Sequence, residues 1–114
     1  MKLYANPTSP FVRIVRMALI EKGLDAEVET VTVDAWGQDP AFLDANPAGR
    51  VPALVTRDGA RLTEALLILH HLDAVRPEPE VLTGAAALSC AGVAVGVFDA
   101  AVAVIIGQIG RAHV

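Results

Sequence analysis

The chain lacks the means for covalent cross-linking. Cys90 is its one cysteine, so no intramolecular disulfide framework can form, and a lone thiol fits a reducing compartment. It also lacks a basic surplus. Nine Lys and Arg stand against thirteen Asp and Glu, a net charge of −4, which argues against nucleic acid as a partner. Aromatic residues are scarce at 4%, yet apolar residues reach 54% of 114 positions, enough for one domain with a real core. No leader sequence is apparent, because the opening residues, Met1 to Pro7, break at a proline before a long apolar core forms. There is no internal repeat, and the only low-complexity stretch is the Ala/Val/Gly-rich tail.

What is present reads in order. Lys2-Leu3-Tyr4-Ala5 is a short strand stopped by Asn6-Pro7. Ser9 is a good N-cap and Pro10 suits the first helical position, where its missing N–H costs nothing. Phe11, Val12, Ile14, Val15, Ala18 and Leu19 give that helix an apolar face, with Arg13 and Arg16 on the wet side, and Gly23 ends it. Glu27 to Val33 alternates imperfectly and predicts a second strand. Ala41-Phe42-Leu43, after Asp39-Pro40, predicts a helical turn. Asp58-Gly59 predicts a two-residue hairpin turn between Ala53 to Arg57 and Ala60 to Leu62. Thr63 is expected to cap a helix over Glu64 to Ala74, with Leu66, Leu67, Ile68, Leu69 and Leu72 inward. Pro77 and Pro79 suggest an exposed linker. The order is β-α-β-α-β-β-α.

The stretch Asn46 to Leu54 organises the rest. Asn-Pro and Ala-Gly are turn chemistry, and Val51-Pro52-Ala53-Leu54-Val55 starts an apolar strand. Proline cannot donate to a ladder, so Pro52 belongs at the strand's start or edge. A cis Val51-Pro52 bond would turn the Val51 amide and carbonyl outward, where an extended peptide could pair with them.

The pattern N-P-x-G-x-V-P-x-L resembles the glutathione transferase superfamily, whose V-P carries a cis proline on a thioredoxin-like domain. The resemblance covers residues 1–80 closely and the remainder loosely. It implies an α/β thioredoxin-like glutathione-binding domain over residues 1–76, a linker over 77–84, and the first helix of a truncated all-α domain over 85–114.

Ser9 is the candidate catalytic residue. It sits at a helix N-terminus, where free N–H groups and the dipole favour an anion and would lower the pKa of a thiolate held there. Ser9-Pro10-Phe11-Val12-Arg13 looks like the serine-type active-site turn of several glutathione transferase classes, in which the serine stabilises the thiolate of glutathione and does not attack. The bland reading is a cap, and both can hold. Tyr4 is a rival by analogy with other classes, although its place inside the strand favours a core role; Thr8 is a weaker substitute. No cysteine lies in Asn6 to Phe11, which counts against a glutaredoxin-like or omega-class mechanism.

Thr63-Glu64-Ala65 resembles the family's acid-then-serine signature. The resemblance assigns Glu64 to the amino group of the γ-glutamyl end and the Ala65 amide to its carboxylate, with Val51 and Pro52 beside the cysteinyl backbone. Ala65 stands where serine is usual, so one hydrogen bond to a charge, about 1.5–3 kcal/mol, is missing. Glu64 also reads as an ordinary first-turn acid. Arg50 either reaches the glycyl carboxylate or is solvated. Trp36 reads as packing or a glutathione contact. His70 and His71 are adjacent, point apart, and have no third ligand at metal spacing, so no metal is expected.

Ala85 to Gly107 carries one charge, Asp99. A membrane span is the alternative, supported by the G-x-x-x-G at Gly92 to Gly96. Against it stand the small residues and Asp99, which would cost about 2.5–3.5 kcal/mol at mid-bilayer. The resemblance implies instead a soluble, cytoplasmic homodimer with this helix at the subunit interface, and Asp99 serving that interface or the glutathione amino group. Family members continue for several more helices, so a truncation, a proteolytic product and a naturally short version all stay open. The expected activity is conjugation of reduced glutathione, as co-substrate, to a small hydrophobic electrophile. A non-catalytic binding or assembly module is the alternative.

Overall fold

The fold is that of a computed structural model and is described for residues 1–34 and 39–112, with side chains through residue 107. It divides into two units, Met1–Val81 and Leu82–Val114. Trp36 lies outside the described residues.

The first unit is built on a four-stranded mixed sheet. Its elements are β1 (Lys2–Ala5), α1 (Pro10–Glu21), a 3₁₀ turn (Asp25–Glu27), β2 (Glu29–Thr32), α2 (Pro40–Ala45), β3 (Ala53–Val55), β4 (Arg61–Thr63) and α3 (Ala65–Val75). The sheet order is β2-β1-β3-β4. β1 runs parallel to β2 and antiparallel to β3, and β3 is antiparallel to β4. This is the thioredoxin-like arrangement that the element order implies.

Strand alternation divides the core. Tyr4 and Ala53, paired across β1 and β3, face α2 and pack with Val33, Phe42 and Ala45. The Tyr4 and Phe42 rings lie 5.7 Å apart. Leu3 and Leu54 point the other way by alternation. α1 and α3 pack on each other and add Val12, Val15, Leu19, Ile68 and Leu72 to the buried set.

Ser9 caps α1 by accepting from the Val12 amide at 3.3 Å, with Pro10 opening the helix. Gly23 closes it at φ +65°, donating to the Ile20 carbonyl while Leu24 donates to the Leu19 carbonyl. That is the paired 5→2 and 6→1 closure in which a left-handed glycine satisfies the last carbonyls of a helix.

Several local expectations change. β2 begins at Glu29 rather than Glu27, because residues 25–27 form the 3₁₀ turn. The hairpin has a three-residue loop. Thr56 donates to the Ala60 carbonyl, the Gly59 amide returns to the Thr56 carbonyl, and Gly59 takes φ +88°. Val55 consequently opposes Arg61, as in a type I turn closed by a left-handed glycine. Thr63 does not cap α3: it pairs with Ala53 in β4, and Glu64 takes the N-cap position. In α3 the buried residues are Ala65, Ile68, Leu69 and Leu72, while Leu67 is 61% exposed. The leucines run round the helix, so their number overstates its inner face. Residues 77–81 are tied into the first unit, where the Pro79 carbonyl accepts from Lys22 and the Val81 amide donates to Asp73. The Glu78–Pro79 bond is cis.

The second unit is one helix, α4 (Ala85–Ala112). Its run Ala85–Gly107 is long and apolar enough to cross a membrane, by length and composition, and none of that run is buried. Leu88, Val93, Val97, Val104, Ile105 and Ile106 are exposed.

Candidate functional site

Chain direction gathers the candidate residues. β1 and β4 run the same way, each followed by a helix, so the N-termini of α1 and α3 emerge at one edge of the sheet. β3 runs oppositely and therefore enters from that edge, straight after Val51–Pro52. Tyr4, Ala53 and Thr63 form one row of the ladder. Counting two places outward brings Asn6, Val51 and Ala65 to the same edge, with Ser9 and Glu64 beside them.

The Val51–Pro52 bond is cis. Pro52 is buried and Val51 half-buried, and among the described residues the Val51 amide and carbonyl have no hydrogen-bond partner. Asn46 shapes the turn that delivers them. Its buried side chain donates to the Arg50 carbonyl at 2.8 Å and accepts from the Ala48 amide at 3.1 Å. Its own carbonyl accepts from Gly49 at 2.9 Å, with Gly49 at φ +67°. Asn46 does for the strand entrance what a backbone turn would do, a role asparagine fills well. Arg50 projects its side chain outward, exposed.

The turn before α1 has its own asparagine. Asn6 donates to the Val33 carbonyl at 3.3 Å and accepts from the Thr8 hydroxyl at 2.6 Å and the Thr8 amide at 3.0 Å. The Thr8 hydroxyl is thus committed to Asn6. Ser9 is half-buried and accepts from Val12, which leaves its hydroxyl hydrogen able to donate. Tyr4 is buried against Phe42 and belongs to the core. In the sequence Asn6 and Asn46 read only as turn formers; the signal for more is that each precedes a proline and a tight turn at this one edge.

At α3, Glu64 sits at φ 70°, the one non-glycine residue with positive φ among the described residues. A glutamate held there costs about 1–3 kcal/mol, and such strain gathers at functional sites. Its side chain is exposed and makes no capping bond. Ala65 is buried and its amide belongs to the first turn, whose N–H groups have no partner within the helix. Pro10 has no N–H and Ser9 already takes the Val12 amide, so the open first-turn amides are those of Ala65, Leu66 and Leu67 at α3, which beside the unpaired Val51 backbone suit an extended anionic peptide.

His70 is exposed and His71 half-buried, and no group of three His, Cys, Asp or Glu side chains among the described residues could hold a metal.

Comparison with known proteins places this architecture. The family model for the glutathione S-transferase N-terminal domain matches residues 8–75. Glutathione S-transferase 2 of Saccharomyces cerevisiae is 36% identical over 87 residues, spanning 74% of this chain and 37% of that protein. A maleylacetoacetate isomerase of Pseudomonas aeruginosa is 38% identical over 86 residues, 73% of this chain and 41% of that one. Among solved structures, a glutathione transferase family member from Pseudomonas fluorescens Pf-5 with bound glutathione superposes with a TM-score of 0.82 at 33% identity, covering 90% of this chain and 54% of its own. The chain spans about two fifths of the length of the curated relatives it matches. The chain belongs to the glutathione S-transferase family, matching its N-terminal, thioredoxin-like domain.

Proposed function

We propose that this chain binds reduced glutathione along the edge formed by Ser9, Val51–Pro52 and Glu64–Ala65, and presents its thiolate to a small hydrophobic electrophile. The observation that carries the reading is the convergence of two helix N-termini on the unpaired backbone of Val51. The Val51 amide and carbonyl pair with the cysteinyl backbone. Glu64 takes the γ-glutamyl ammonium, the Ala65 amide takes its carboxylate, and Arg50 takes the glycyl carboxylate. Ser9 donates its hydroxyl hydrogen to the sulfur and favours the thiolate over the thiol. The thiol proton leaves to solvent, the sulfur forms a bond to the electrophilic carbon, and the leaving group departs with its electron pair. No metal takes part in this scheme. The working protein is a cytoplasmic homodimer.

A second reading, a glutathione-binding module without turnover, is favoured by Ala65, which supplies no hydroxyl. Calorimetric titration with reduced glutathione tests the shared part. Saturable one-to-one heat supports the site, and no heat at millimolar glutathione overturns it. A conjugation assay with a panel of small electrophiles then separates enzyme from module.

A further inference from the structure

Asn46 is 6% exposed, a buried polar residue directly behind the strand entrance. Its main chain is spent on the turn there. The N–H donates to the Phe42 carbonyl at 2.8 Å and the carbonyl accepts from the Gly49 amide at 2.9 Å. Phe42 is itself buried and packs on Tyr4, so Asn46 is anchored in the core. Its side chain makes two bonds of unlike kind. Oδ1 accepts from the Ala48 amide at 3.1 Å, and Nδ2 donates to the Arg50 carbonyl at 2.8 Å.

These two bonds need different chemistry. Accepting from the amide two residues on is turn formation, and aspartate does it as asparagine does. Donating to a carbonyl needs the amide nitrogen, which an ionised aspartate lacks. The second bond grips one end of the Arg50–Val51 peptide unit. That unit is trans, since the cis bonds are Val51–Pro52 and Glu78–Pro79. A trans peptide is planar, with its N–H pointing away from its C=O. With the Arg50 carbonyl turned in to Asn46, the Val51 N–H is turned out, and it has no partner among the described residues. Hydrogen bonds in a chain polarise one another, so the bond to the carbonyl also strengthens the N–H as a donor.

We infer that Asn46 is a positioning residue for the site: its Nδ2 holds the Arg50 carbonyl inward, so that the Val51 N–H stands as a fixed donor for a backbone carbonyl of the bound peptide. Asn46 acts through Val51 and lies behind the turn, out of reach of the ligand. Fixing the peptide plane beforehand removes an ordering cost from binding, so the effect falls on affinity. The identity of the ligand rests on the glutathione reading above; the orientation of the Val51 amide does not.

Asn46→Asp separates this role from turn formation, because it keeps the acceptor for the Ala48 amide and loses the donor. Asn46→Ala loses both side-chain bonds without burying a charge. Magnetic resonance of the full chain without ligand reads the orientation. In wild type the Val51 amide should exchange with solvent faster than the Asn46 backbone amide, which donates to Phe42. The Arg50 carbonyl carbon should shift upfield in both variants as it loses its donor. Calorimetric titration with glutathione reads the consequence: affinity should fall about tenfold in both variants, at an unchanged one-to-one stoichiometry, which partial misfolding would lower instead. A protected Val51 amide in ligand-free wild type, an unmoved Arg50 carbonyl, or Asn46→Asp binding as tightly as wild type would each overturn the inference and leave Asn46 a turn former. Wild type that takes up no glutathione defeats the glutathione reading alone, and the exchange and carbonyl shift still decide the role of Asn46.

Discussion

The ammonium of Lys22 lies 2.7 Å from a carboxylate oxygen of Asp73, with the lysine side chain 0% and the aspartate 12% exposed. Its other two hydrogens go to the carbonyls of Arg76 and Pro79, also at 2.7 Å. A lysine ammonium has three donors, and all three are used. Arg76 crosses back to the Lys22 and Gly23 carbonyls. The C-terminal ends of α1 and α3 are therefore clasped at the end of the unit opposite to the one where their N-termini meet Val51. Helix C-termini favour cations, so the clasp also suits the dipoles it joins.

Removing one partner of this pair strands the other in low dielectric. Lys22→Met is expected to destabilise the first unit by about 3–5 kcal/mol, and Asp73→Asn by a smaller amount in the same direction. Urea denaturation checks this. A Lys22→Met midpoint within error of wild type would show that the clasp contributes nothing net.

The hairpin carries a pH-sensitive bond. The Thr56 hydroxyl donates to Asp58, and that bond, with smaller help from nearby amides and His71, holds the exposed Asp58 carboxyl below its ordinary value of 3.8. A carboxyl depressed in the folded state stabilises the fold fully above 3.8, and the contribution is lost as pH falls through the lower, folded value. Wild type should therefore exceed Asp58→Ala in thermal stability at about pH 6, with the gap narrowing as the pH is taken below 3.8. A gap independent of pH would assign the difference to turn geometry alone.

Much of this architecture is legible from residues because their signals are local. Ser9-Pro10, Gly23 and Asp39-Pro40 fix helix ends through bonds made within one turn of chain, and the structure has them where the sequence puts them. The errors arise where pairing across the sheet decides. Thr63 has the chemistry of a cap, but its ladder partner Ala53 claims it for β4 and moves the cap to Glu64. Asp58-Gly59 signals a tight turn, yet whether two or three residues close it depends on register, which the Thr56 side chain helps to set by accepting from Ala60. Nothing beside Lys22 in the sequence marks it as buried, because its three acceptors lie more than fifty residues away. At the candidate site, the chemical identities of Ser9, Val51 and Glu64 were readable, but the asparagine scaffolds behind them were not.

Ser9 joins two roles that one variant can separate. Ser9→Ala removes the acceptor for the Val12 amide and should cost about 1 kcal/mol of stability. It also removes a hydrogen bond to a charged sulfur, about 1.5–3 kcal/mol, so conjugation should fall roughly ten- to 150-fold while glutathione binding changes little. Ser9→Thr keeps both functions. Equal activity of Ser9→Ala and wild type would reduce Ser9 to a helix cap.

Glu64 should show function opposed to stability. Its φ of 70° is free of strain only for glycine. Glu64→Gly should therefore stabilise the first unit by about 1 kcal/mol, since strain of about 1–3 kcal/mol is relieved against glycine's extra unfolded-state entropy. The same change deletes the carboxylate assigned to the γ-glutamyl ammonium, so glutathione affinity should drop about tenfold or more. Glu64→Gln separates the terms, because it retains the backbone strain and loses only the charge. Ala65→Ser works in the other direction, since a hydroxyl added at the start of α3 should tighten binding by about tenfold. Calorimetry on these three variants beside thermal denaturation reads both quantities. If Glu64→Gly gained stability with undiminished affinity, the strained backbone would remain unexplained and Glu64 would leave the site.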